Sequence, residues 1–347
     1  MKFNEKSIFL KNPKAKKLRK HKKAIKKKFE RNRKLYMYIL VFICFIITIF
    51  IIKRLLDNFI KNDIFQSTNI EMASKSSSSN KGNKPKIVAI TYGNIFFKRQ
   101  LELNRKSALE VGEVDVHYTY GPNDIDHEFK HKNKEILSKG RGNGLWLWKP
   151  YVINKTMVEK LDYGDYLIYT DAAMIFMNSS RLLIDFLKEN NASMWFNRLT
   201  LKERKYSKRD AFIIMGVDNP VFSETNQYMA GIQIYKKSTY TMKFIQEWLT
   251  YCQDKRIITN DKNTLGQPNY NGFIENRHDQ TALSLLIKKY GEANAGSPNL
   301  TLEELKQRKS IIMPNILCMY RRRAFKDYDN LKEKCQKIIE HQNHIFS

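Results

Sequence analysis

The chain has 347 residues and a formal net charge of +27, from 62 Lys or Arg against 35 Asp or Glu. The excess is uneven: residues 1–34 hold sixteen Lys or Arg against Glu5 and Glu30, which places +14 there and leaves +13 for the rest. Four cysteines spaced as here exclude a zinc site and a CxxC redox pair, and because Cys44 lies in an apolar run, Cys252, Cys318 and Cys335 allow at most one intramolecular disulfide.

Leu35 to Ile52 is a run of 18 residues without a charge, preceded by Lys34 and followed by Lys53 and Arg54. As a helix it is about 27 Å long, enough for a thin bilayer. It is longer than the apolar core of a cleaved signal peptide and has no small-residue cleavage site, so a retained anchor is expected. The charge bias then predicts a cytoplasmic tail over 1–34 and a translocated remainder, the type II arrangement, with the large domain in the endoplasmic reticulum or Golgi lumen of a eukaryotic host. A lysine-rich tail is also the footprint of nucleic-acid binding. Next to a span, however, it is read as an orientation signal that touches anionic lipid, and no nucleic-acid partner is expected. Residues 53–84 are polar, with Ser76 to Ser79 and NKGNKP, and read as a flexible stem. Residues 85–347 follow without a second linker and fit one α/β domain.

That domain opens with a strand at Ile87 to Thr91 that runs into Tyr92 and Gly93, then a helix around Phe97 to Glu110 and a strand from Val114 to Tyr120. Pro150 suits the first turn of a helix reaching about Leu161. A third strand, Tyr166 to Tyr169, delivers Asp171 at its C-terminal end. Strand, helix, strand, helix, strand is the grammar of a mainly parallel, twisted sheet, and ligands of such sheets bind at the carboxyl ends of the strands. An Asp placed there holds a divalent cation or a ribose hydroxyl, or else forms a turn or helix cap. Asn226 to Ser238 alternates like a strand, with small Ala230 and Gly231 marking a close approach. Thr239 to Cys252 reads as an amphipathic helix that turns Phe244, Trp248 and Leu249 inward. A last helix begins at Asp279, a candidate N-cap, with Leu283, Leu286 and Ile287 as its apolar stripe.

Three blocks in order, YTDAAMIF, NQYMAGIQIYKKSTYTMKFIQEW and HDQTALSLL, resemble the core of a GT-A-fold nucleotide-sugar glycosyltransferase. The block GLWLWKP, Gly144 to Pro150, together with Lys208, Arg209 and Asp210, is similar to a group of viral and bacterial glycosyltransferase-like proteins. The resemblance implies a Rossmann-like GT-A domain, a nucleotide-sugar donor and a glycan or glycoprotein acceptor. It implies Asp171, Arg141, Lys149, Trp148 and Tyr92 at the donor, and Lys208, Arg209, Gln227, Gly231, His278 and Gln280 at the substrate. Asp279 and Asp210 are the candidate general bases. Many GT-A enzymes carry Asp-x-Asp at this strand end. Here the second position is Ala173, so a Mn²⁺ or Mg²⁺ ion would rest on Asp171 alone among the motif's carboxylates. The same substitution supports an alternative, an anchored, catalytically inactive GT-A-like protein that binds glycans or acts as a scaffold.

Overall fold

The computed structural model describes residues 84–291, 316–319 and 329–337, all within one compact unit, Lys81–Ser347. The basic tail, the apolar run 35–52 and nearly all of the polar stretch 53–84 lie outside the described residues. Among the described residues no helix is long and apolar enough to cross a membrane.

The elements in chain order are β1 (Ile87–Tyr92), α1 (Lys98–Glu110), β2 (Val116–Tyr120), α2 (Trp148–Glu159), β3 (Tyr166–Thr170), β4 (Met174–Phe176), α3 (Arg181–Glu189), β5 (Met194–Lys202), β6 (Asn226–Lys236), α4 (Thr239–Cys252), α5 (Asp279–Lys289) and β7 (Leu317–Met319), joined by shorter helical turns. The five-stranded sheet runs β2-β1-β3-β6-β5. β1 pairs in parallel with β2 and β3, β6 is antiparallel to β3, and β5 is antiparallel to β6. Four of the five strands therefore point the same way around one reversed strand, a mixed α/β sheet of mainly parallel sense. β4 and β7 form a separate antiparallel pair.

Both faces of the sheet are covered. In β1, Val88, Ile90 and Tyr92 join one apolar cluster while Ile87 and Ala89 join the other; in β3, Leu167 and Tyr169 face the first and Tyr166 and Ile168 the second. Side chains alternate across a strand, so two buried faces make the sequence read as an unbroken apolar run. The first cluster is closed by α2, α4 and α5, with Phe244, Trp248, Leu283, Leu286 and Ile287 fully buried and Leu249 packed at its margin. α4 starts at Ser238, whose side chain accepts from the Thr241 N–H in a capping box. α2 begins at Trp148, which puts Pro150 in its first turn as expected. α5 departs from expectation: its N-cap is His278, and Asp279 is its first helical residue.

The second face fixes the end of β3. Asn104 of α1 is buried and donates to Thr170 Oγ1 at 2.9 Å and to the Met174 carbonyl at 2.8 Å, so one amide pins both sides of the turn that carries Asp171. Its Oδ1 meets His117 Nε2 of β2 at 2.9 Å. Cys318 of β7 pairs with Cys335 in a disulfide, and their neighbours Ile175 and Leu331 form a small apolar cluster beside β4.

His117 gives the fold a pH signature. Burial, with Arg105 adding to it, pushes its pKa down to about 4, against an ordinary value of about 6.5. Between those values the unfolded chain binds more protons, so this stabilisation is complete above about pH 6.5 and is lost as pH falls toward 4, up to about 3 kcal/mol. Carboxylates titrate in the same window, so the diagnostic quantity is a difference. Denaturation of the wild type and of His117→Gln from pH 7 to 4 should show a wild-type loss that the variant lacks; parallel curves would show that His117 is not held neutral.

Candidate active site

Two pockets open at the carboxyl end of β3 and share Asp171 and Trp146. The first, of about 280 Å³, is polar and is lined by Arg141, Lys149, Ala230, Gly231, Glu275, Arg277, His278, Asp279 and Gln280 among others. The second, of about 390 Å³, is lined by Tyr92, Asn94, Phe97, Asn143 and Trp148. These sizes suit small-molecule sites.

At the base of the polar pocket lies Lys149. Its side chain is 3% exposed, and Nζ stands 3.3 Å from Asp171 Oδ1, 3.1 Å from Asp279 Oδ2 and 3.2 Å from the Ala230 carbonyl oxygen. One ammonium thus ties α2 to the end of β3, the middle of β6 and the start of α5. Burial pulls the lysine pKa down, but the two carboxylates outweigh it and the net shift is upward. Asp279 is pushed up to about 6, chiefly by burial and against the pull of Lys149, with Asp171 adding to the rise. Its Oδ2 is buried and accepts no well-aligned hydrogen bond, so Lys149 faces it as a charge rather than as a directed donor.

Asp171 is more open, with 40% of its side chain exposed. The Tyr169 hydroxyl donates to its Oδ1 at 2.6 Å, and its backbone N–H donates to the Gly231 carbonyl at 2.8 Å. A β-carbon at Gly231 would stand 2.9 Å from Asp171 Oδ2, so the small residue is what lets this carboxylate lie against β6.

Asp279 is positioned from behind by a buried polar network. Trp248 Nε1 donates to its carbonyl at 3.0 Å. The Gln280 amide accepts from the Ala230 N–H at 3.2 Å and donates to Gln227 Oε1 at 2.8 Å. Gln227 is fully buried and donates to Glu203, Ser207 and the Tyr206 carbonyl. Glu203 is itself buried and pairs with Lys288 at the far end of α5.

The aromatic pocket rests on an unusual backbone. Gly142, Asn143, Gly144, Leu145 and Trp146 all have positive φ, between 53° and 97°, one turn of left-handed helix that costs roughly 1–2 kcal/mol at each non-glycine position. This turn directs Trp148 Nε1 to the Gly142 carbonyl at 2.9 Å and Asn143 Nδ2 to the Tyr92 hydroxyl at 3.1 Å. Tyr92 and Trp148 stack at 3.8 Å, and burial pushes the tyrosine pKa up to about 12.

Of the residues read from the sequence, Asp171, Lys149, Arg141, Gly231, His278, Asp279 and Gln280 meet in the polar pocket and Tyr92 and Trp148 in the aromatic one. Arg141 is paired with Glu275 at 2.9 Å on the rim. Four line neither pocket. Asp210 is fully buried and accepts from Thr264 N–H and Oγ1 and from Leu265 N–H, so its oxygens hold a loop and are not free to take a proton from a substrate. Lys208 donates to the Asp261 carbonyl at 2.7 Å, and Arg209 pairs with Asp218 and lies 3.9 Å over the Tyr270 ring. Gln227 reaches the pocket only through Gln280. Sequence reasoning missed Glu275, Arg277 and Tyr169. The signals for them were faint: two charges just before HDQ, and a strand position two before Asp171.

The described residues by themselves do not assemble a three-ligand site for a divalent cation. Among the described residues no group of three or more His, Cys, Asp or Glu side chains is placed to hold a metal. Asp171 Oδ1 is already engaged by Tyr169 and Lys149, and the position after next is Ala173. A hard cation with six or more oxygen ligands would draw one carboxylate from this strand end.

No protein-family model and no curated protein matches the chain. Solved structures similar to it include the bifunctional glycosyltransferase WbbM in apo form (10% identity, 60% of this chain and 38% of that one, TM-score 0.35). Others are core-mannan synthase A from Aspergillus fumigatus in an Mn/GDP form (10% identity, 60% and 71%, TM-score 0.36) and galactosyltransferase LgtC in complex with donor and acceptor sugar analogues (12% identity, 73% and 95%, TM-score 0.36). The chain thus spans well under half the length of WbbM.

Removing Lys149 leaves the buried carboxylate of Asp279 without its cation and beside the more open Asp171. Lys149→Met should destabilise by about 3 kcal/mol at pH 8 and much less at pH 5. Asp279, its pKa raised further, is then protonated, and the penalty, present above the folded pKa, disappears as pH falls. Urea denaturation at the two pH values checks this; an equal loss at both would mean that Lys149 stabilises by packing rather than by charge.

Proposed function

We propose that the chain is a glycosyltransferase that moves a sugar from a nucleoside diphosphate donor to a hydroxyl of a glycan or glycoprotein. One observation carries this reading. Two carboxylates with unlike surroundings, one open and one buried, meet a single buried ammonium at the carboxyl end of a mainly parallel sheet. The aromatic pocket suits the nucleoside, with Asp171 accepting from its ribose hydroxyls where the two pockets join. The polar pocket suits the sugar, its diphosphate placed by the Arg141 and Arg277 rim and the start of α5. Asp279 takes the proton of the acceptor hydroxyl, whose oxygen bonds to the anomeric carbon as the bond to the diphosphate breaks and the nucleoside diphosphate leaves. A carboxylate titrating near 6 is ionised at neutral pH yet basic enough to share that proton.

We propose also that residues 35–52 anchor the protein with its large domain outside the cytoplasm. The Cys318–Cys335 disulfide supports this, because such bonds persist in oxidising compartments. Protease added to sealed microsomes should trim only the tail; digestion of the large domain from the cytoplasmic side would reverse the orientation.

The activity is tested on the purified full chain with a panel of nucleotide sugars, by nucleoside diphosphate release. Asp171→Asn keeps the size and one acceptor oxygen but loses the charge, and should lower turnover about a hundredfold, on the order of 3 kcal/mol, with the melting temperature near wild type. Asp279→Asn should abolish the rise in kcat/KM centred near pH 6. Normal turnover in Asp171→Asn would sink the assignment, and no release from any donor would favour the anchored glycan-binding scaffold.

A further inference from the structure

His278 combines two costs in one residue. Its backbone sits at φ 55°, ψ −119°, outside the regions that side chains with a β-carbon normally adopt. The residue is 1% exposed, and Nε2 has no hydrogen-bond partner among the described residues, which is itself unfavourable for a buried polar atom. The protonation state of the ring follows from chemistry. Nδ1 lies 2.7 Å from the Ile258 carbonyl oxygen, which can only accept, so Nδ1 carries the hydrogen. Burial, with Arg141 adding to it, holds the ring neutral. Nε2 is therefore a bare lone pair. The ring lines the polar pocket beside Asp279 and is held from the other side by Trp146, 5.5 Å away between centroids. Trp146 is itself in the left-handed region, and a β-carbon at Gly142 would stand 2.3 Å from its ring, so little room remains for either ring to turn away.

A buried lone pair on a residue that lines a pocket takes either a cation or a hydrogen-bond donor. Arg141, Lys149 and Arg277 line the same pocket, and among the described residues no three-ligand cluster surrounds His278, which disfavours a cation. The pocket is polar, and a polyhydroxylated ring supplies the uncharged donor that fits it.

We propose that His278 is a specificity-determining residue whose Nε2 accepts a hydrogen bond from a hydroxyl of the sugar carried by the nucleotide donor. This rests on the glycosyltransferase reading above. A site built to accept from a hydroxyl discriminates strongly against ligands that lack it, because its own buried group is then left unpaired. The backbone strain at His278 is the cost of placing that acceptor over the first turn of α5.

The test is calorimetric binding to the full chain of UDP-glucose, UDP-galactose, UDP-N-acetylglucosamine and GDP-mannose, with UDP and GDP as sugar-free probes. His278→Asn retains an N–H near the Ile258 carbonyl but removes the ring lone pair. His278→Gln retains an acceptor near the Nε2 position. For the donor that binds best, His278→Asn should lose about tenfold or more of the affinity gained over the bare nucleotide, while the affinity for UDP or GDP stays within about twofold. His278→Gln should retain most of that gain. Melting temperatures near wild type for both exclude a folding defect. Equal loss of nucleotide and nucleotide-sugar binding, or none, would overturn the role of His278 alone. Manganese binding without nucleotide that disappears in His278→Asn would instead make it a metal ligand and overturn the proposal. If the wild type binds neither nucleotides nor nucleotide sugars, the glycosyltransferase reading fails and this inference falls with it.

Discussion

The geometry of the site depends on one ammonium. Around Lys149 Nζ stand two carboxylates, Asp171 and Asp279, as ion-pair partners, and the Ala230 carbonyl, to which it donates a hydrogen bond. A buried lysine is expensive, several kcal/mol before its partners are counted. The two carboxylates repay that and in turn depend on it, because without the cation the buried Asp279 would carry its charge unpaired beside a second carboxylate. The result is a shared proton economy: the lysine stays charged, Asp279 is poised near 6, and Asp171 is left with an oxygen facing the pocket.

Behind this post stands a graded support. α5 is fixed at its first residue by Trp248, one residue later by the Gln280 and Gln227 amides, and at its far end by the buried Glu203 and Lys288 pair. The turn after β3 is fixed by Asn104 from the opposite face of the sheet. Asp171 and Asp279 thus reach the same ammonium from two layers of the fold. In each layer the polar groups that hold them are satisfied by other parts of the protein, whereas two of the buried polar atoms without a hydrogen-bond partner among the described residues, Asp279 Oδ2 and His278 Nε2, are on residues that line the polar pocket. Backbone strain is found there too: Asn143, Trp146 and His278, all at positive φ, line the pockets, although Glu113 and Asn191 adopt positive φ away from them. Strain and unpaired polar atoms persist only where the surroundings over-determine them, and functional sites are where they concentrate.

Much of the scaffold was legible in the residues themselves. Apolar runs long enough to be buried on both faces placed β1 and β3, and Thr239 to Cys252 was a helix at both ends because its apolar spacing and its breaks coincide. The missed elements have mixed patterns: α3 carries four charges in nine residues, β5 alternates polar and apolar residues only in its second half, and β4 is three residues long and gains its partner from β7 far along the chain. Asp210 misled for a physical reason. An Asp beside two cations looks the same in sequence whether it faces a substrate or three backbone and hydroxyl donors of a distant loop.

The sequence by itself determined which residues could be near the carboxyl end of β3, because strand polarity and apolar periodicity are local properties. It determined that Asp171 ends a buried strand, that Gly231 admits a close neighbour and that a helix begins beside Asp279. Only the tertiary structure decided that Lys149 lies between the two carboxylates, that His278 caps the helix with a strained backbone and that Asp210 turns inward. The first of those outcomes depends on contacts between residues 22 and 130 positions apart, and on burial, which raises the pKa of Asp279 while Asp171 stays open. Burial and long-range charge are properties of the assembled fold.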